Sequence, residues 1–103
     1  MEQLSRAELD ELVAEATVDA YNESEQLTGL YTMIEDDLAM PFGTVVLGVE
    51  VTVWKVDLRD DGIVAICERG RDRQAIKILD LPLPDPPPEG AQWIAAYRRW
   101  DGR

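Results

Sequence analysis

Histidine is missing from this 103-residue chain, and cysteine occurs once, as Cys67. Without imidazole the usual zinc, copper and haem ligand sets cannot be assembled, nor can a histidine-based catalytic triad. A lone cysteine gives no disulfide framework and has no histidine to activate its thiol. Bases are scarce as well: 10 Lys and Arg stand against 21 Asp and Glu, a formal charge of −11. With no basic stripe, nucleic-acid binding is disfavoured. No apolar run approaches the roughly 20 residues that cross a bilayer, and the N-terminus lacks the order of a secretory signal, so no membrane partner and a cytoplasmic location are expected. Gly-rich phosphate loops are also missing. Paired carboxylates alone could suggest glycoside hydrolysis, but among so many acids such a pair has no specificity, and the chain is expected not to be an enzyme.

What the chain has in excess is acid, concentrated at one end. Between Met1 and Met40 stand Glu2, Glu8, Asp10, Glu11, Glu15, Asp19, Glu23, Glu25, Glu35, Asp36 and Asp37, with Arg6 as the one base. The rest of the chain is almost neutral. Such a local excess repels itself and opposes compaction, so cations, a basic partner or water must neutralise it. Any metal bound here must be a hard one, held by oxygen. A hydrophobic content of 46% with well-spaced apolar positions fits one compact domain over residues 1–103 rather than a disordered acidic tail.

Ser5 and Glu8 form a capping box, with Leu4 and Leu9 at hydrophobic-staple positions, and these predict a helix start. Its buried face is Leu9, Leu12, Val13, Ala16 and Ala20, and the weakening by Thr17 and Val18 places its end near Asp19. Asn22 caps a second helix, with Leu27, Leu30, Tyr31, Ile34 and Leu38 at helical spacing. Pro41 closes that helix near Ala39, completing an acidic helical part over 1–40.

From Gly43 to Asp80 the period becomes two. Segments 44–47, 49–56, 63–67 and 74–79, broken at Gly48, Asp61-Gly62 and Gly70, predict a four-strand antiparallel meander. Residues 81–88, rich in proline, predict an extended strap, and 89–100 a terminal helix. On that helix Trp93, Tyr97 and Trp100 share one face, which is better read as core than as a ligand platform.

Three acids in a row, Glu35-Asp36-Asp37, fall at the carboxyl end of the second helix, where unpaired carbonyls already carry about −0.5 charge and each acid is disfavoured by 0.3–1 kcal/mol. A bound cation would explain them, because carboxylates and free carbonyls are what calcium prefers. The plainer reading is a solvated helix end. Glu23 and Glu25 sit in the first turn, where negative charge is favourable without any metal. Glu25 and Asp36 stand eleven residues apart, about 16 Å at helical rise, so the two ends cannot grip one ion. The stretch from Asp57 to Glu68 mimics an EF-hand loop, but Arg59 at its third position and the flanking strand patterns exclude that, leaving Asp60-Asp61-Gly62 as a hairpin turn.

The run from Val18 to Tyr31, Val-Asp-Ala-Tyr-Asn-Glu-Ser-Glu-Gln-Leu-Thr-Gly-Leu-Tyr, continues through Ile34-Glu35-Asp36-Asp37-Leu38 to Met40-Pro41-Phe42. It resembles the small bacterial calcium-binding proteins of the cyanobacterial CcbP type, and Trp93 and Trp100 match the tryptophan-bearing terminal helix of that family. The resemblance implies a non-EF-hand calcium binder, buffer or sensor, with ligands among Asp19, Glu23, Glu25, Glu35 and Asp36.

The expectation is therefore an α+β chain: two acidic helices packed on a small curved antiparallel sheet resembling an SH3-like barrel, with a short C-terminal helix. Its expected function is Ca2+ binding by clustered carboxylates. Glu35, Asp36 and Asp37 would form the principal site, and Asp19, Glu23 and Glu25 a weaker one. The alternative is an acidic interaction module that docks on a basic protein partner or mimics nucleic acid.

Overall fold

The computed structural model describes residues 4–102; Met1 to Gln3, with the acid Glu2, and Arg103 lie outside the described residues. The order is α1 (Arg6–Ala16), α2 (Glu23–Asp37), β1 (Phe42–Val46), β2 (Val49–Arg59), β3 (Gly62–Arg69), β4 (Asp72–Lys77) and α3 (Gln92–Asp101), with a 3-10 turn at Ile78–Asp80. This is the α+β arrangement read from the sequence.

The capping box forms as its spacing requires. Glu8 N–H donates to Ser5 Oγ and Ser5 N–H to Glu8 Oε1, both at 3.1 Å. α1 ends at Ala16, short of the expected Asp19, because Thr17 turns its hydroxyl back to Val13 O at 2.7 Å and its backbone leaves the helical region. Asp19 then takes a positive φ of 63° in the turn that follows. Asn22 caps α2 by accepting Glu25 N–H at 2.9 Å. α2 stops at Asp37 rather than Ala39 because Leu38 is already extended and Ala39 N–H donates to Glu89 O at 2.8 Å, a partner far along the chain.

The four strands pair antiparallel in the order β1-β2-β3-β4. β1 and β4 do not pair with each other, so the sheet remains open and no SH3-like barrel closes. Register slips by one residue between Val53 and Lys55, leaving Trp54 as the extra residue of a bulge. Val53 and Val56 are an odd number of positions apart and would face opposite sides of a regular strand; the bulge turns both inward, where they are 0% and 3% exposed. The predicted strand over 74–79 ends at Lys77, since Ile78 enters the 3-10 turn that buries its side chain.

Leu30 and Ile34 of α2 and Leu38 just after it meet Val56 and Ile63 of the sheet and Trp93, Tyr97 and Trp100 of α3 in the main core. The aromatic stripe is thus core. A smaller cluster of Val53, Ala65, Cys67 and Leu81 continues the core under the strap. Thr44 ties that strap down by donating its hydroxyl to Pro82 O at 2.6 Å. α3 begins at Gln92, later than Glu89, because Gly90 holds a φ of +91° that no helix continues through.

Candidate metal centre

Each predicted ligand falls on α2 or in the turn leading to it, and the helix keeps them in two groups. Glu23 and Glu25 occupy its first turn and Glu35, Asp36 and Asp37 its last, with no base in that last turn. Asp19 lies in the α1–α2 turn, exposed. Glu25 is used locally: its carboxylate accepts Asn22 Nδ2–H at 3.3 Å while its N–H is capped by the same Asn22.

The carboxyl-end group has tertiary partners. Trp93 Nε1–H of α3 donates to Asp37 Oδ2 at 2.7 Å. Tyr31, one turn back on α2, donates its hydroxyl to Glu35 Oε2 at 2.5 Å and lies 3.4 Å from Val56 O of β2. That bond to the Glu35 carboxylate pushes the Tyr31 phenol up to about 12, with partial burial and the charges of Glu35 and Asp57 adding in the same direction. Asp36, between the two engaged acids, is exposed. The Asp37 carbonyl lies directly against Gly90, where a Cβ would stand 2.2 Å from the oxygen.

The side chains do not converge by themselves. Among the described residues, no three Asp, Glu, Cys or His side chains come together as a ready-made metal cage. Two acids of the β2–β3 region are engaged elsewhere: Asp57 accepts Arg59 Nε–H at 3.0 Å and Asp61 pairs with Lys77 at 3.6 Å. The donor chemistry nonetheless fits one kind of ion. Cys67 is buried, and that burial pushes its thiol up, away from the thiolate a soft metal needs. What remains is oxygen: three neighbouring exposed carboxylates beside the carbonyls of a helix end. Calcium takes 6–8 such ligands in flexible geometry and accepts water for the balance. Three acids at the negative end of a helix, with no base in that turn, repel one another, and a divalent cation there would relieve that repulsion.

Sequence reasoning placed these acids but missed the residues that hold them. Trp93 was read as core, which it is at 4% exposed, yet its indole N–H is also the partner of Asp37. A buried indole needs an acceptor, and that requirement was the available signal. Tyr31 stands four residues before Glu35, a spacing that faces the two on one helix side, and it too could have been paired from sequence. Nothing local marked the approach of Gly90.

A sequence model of a family described as calcium binding matches residues 10–101. No curated protein matches the chain, and no solved structure does.

Proposed function

We propose, from the premise that this chain belongs to the CcbP calcium-binding family, that it takes up Ca2+ reversibly at the carboxyl end of α2 as an intracellular buffer or sensor. Calcium is the ion; the site, the role and the absence of catalysis are our reading. Glu35 and Asp36 supply direct ligands, Asp37 adds its free Oδ1, and water completes the shell. Glu23 and Glu25 at the other end of α2, where Glu25 stands about 16 Å from Asp36, form with Asp19 of the preceding turn a weaker second site or draw the ion in electrostatically.

One observation carries this reading: three exposed carboxylates share the last turn of α2, which contains no base. A helix end built only for stability would carry Lys or Arg there. The family match supports the ion, and the oxygen-only donor set agrees with it.

Calorimetric titration with calcium in excess magnesium tests the proposal. Saturable binding that persists in magnesium and weakens about tenfold or more in Asp36→Asn is the expected result, because affinity in such sites follows the number of charged ligands. A featureless titration would overturn it in favour of docking on a basic partner.

A further inference from the structure

We propose that Trp93 is a positioning residue for the calcium site, holding the Asp37 carboxylate through its indole N–H and thereby coupling ion occupancy to the docking of α3 on α2. This rests on the preceding reading and adds its route out of the site. Three contacts join the two helix ends: Trp93 Nε1–H to Asp37 Oδ2 at 2.7 Å, Ala39 N–H to Glu89 O at 2.8 Å, and the Asp37 carbonyl seated on Gly90. At the other end Trp100 Nε1–H donates to Gln26 Oε1 at 2.9 Å. α3 therefore lies along α2 held by an indole at each end, and only one of these indoles holds a carboxylate of the acid triplet.

The chemistry makes the two events cooperate. A carboxylate has two oxygens, so Asp37 can keep its indole on Oδ2 and offer Oδ1 to the ion. Without a cation, the charges of Glu35 and Asp36 repel that of Asp37 within this arrangement and weaken it. With one bound, that repulsion is relieved and the Asp37–Trp93 bond is stabilised. Linkage then requires the converse: an intact indole bond, by fixing Asp37 before the ion arrives, raises calcium affinity by the same factor.

Calorimetry on the full chain tests this with Trp93→Phe, which keeps the buried ring and removes the donor. The expected result is about fivefold weaker calcium binding, the effect of losing one hydrogen bond, while Trp100→Phe stays within twofold of the parent. A second measurement does not depend on disturbing Trp93. In Trp54→Phe/Trp100→Phe, where Trp93 is the remaining tryptophan, calcium should shift its fluorescence saturably. Adding Asp37→Asn, whose amide oxygen still accepts the indole, should leave the ion-free spectrum and abolish the shift. Parent-like affinity in Trp93→Phe, or a calcium-silent Trp93 in a chain that calorimetry shows to bind calcium, would overturn the inference while leaving the calcium reading intact. A parent chain that binds no calcium would sink both.

Discussion

The carbonyl oxygen of Ala16, the last residue of α1, lies so close to Gly29 of α2 that a Cβ at position 29 would stand 2.1 Å from it. Glycine inside a helix ordinarily costs about 1 kcal/mol relative to alanine. Here the missing side chain lets two helices with almost no bases between them approach backbone to backbone. Gly29→Ala should therefore destabilise the chain, against its helix propensity, by at least the 1–3 kcal/mol typical of overpacking. Thermal unfolding checks it: for a chain of this size each kcal/mol is roughly 4–8 °C, and an unchanged or higher Tm would refute the close approach.

Calcium itself should act as a stabiliser. An ion that binds the folded chain and not the unfolded one adds about 2.7 kcal/mol at a hundredfold excess over its Kd. Differential scanning calorimetry in calcium and in chelator should differ by roughly 10–20 °C, with magnesium producing a much smaller rise. Coincident melting curves would contradict the reading.

Alkali should unfold the chain partly through Tyr97. Burial pushes its phenol up, the charges of Asp101 and Asp61 add to this, and the bond from Ile63 N–H at 3.3 Å together with Lys77 opposes it. Because the folded value lies above the unfolded one near 10, the neutral phenol's contribution is complete below pH 10 and is lost as pH rises through the higher folded value. Urea unfolding between pH 9 and 11 should show stability falling, and Tyr97→Phe should be weaker at neutral pH but flatter across that window. A slope unchanged by the substitution would assign the alkaline loss to other groups.

The parts of this structure legible in sequence are those decided within a few residues. Ser5 with Glu8, Asn22 with Glu25 and the Asp61-Gly62 turn each announced an element, and helical rise alone separated Glu25 from Asp36. Some misjudged boundaries were decided locally, by Thr17 at the end of α1 and by Gly90 before α3, and others at long range. α2 stops where Glu89 captures Ala39 N–H, and β2 gains a bulge because Val53 and Val56 must both turn inward, one into each hydrophobic cluster. The acids of the candidate site were visible as a run of charge. Their anchoring was not, since Asp37 and Trp93 are 56 residues apart and meet only once α3 folds back.

Asp36 offers a test in which stability and binding move in opposite directions. In the ion-free chain it sits between Glu35 and Asp37 at the negative end of α2, exposed and without a base in that turn. Removing its charge in Asp36→Asn relieves both the helix dipole and its neighbours, a gain of about 0.3–1 kcal/mol at low salt. The same substitution removes a charged ligand, so the stabilisation added by calcium should shrink. Melting in chelator should rise by a few degrees and melting in calcium should fall, and the two curves should draw together. A merely solvated helix end would give the first change without the second, whereas a carboxylate that holds the ion must give both.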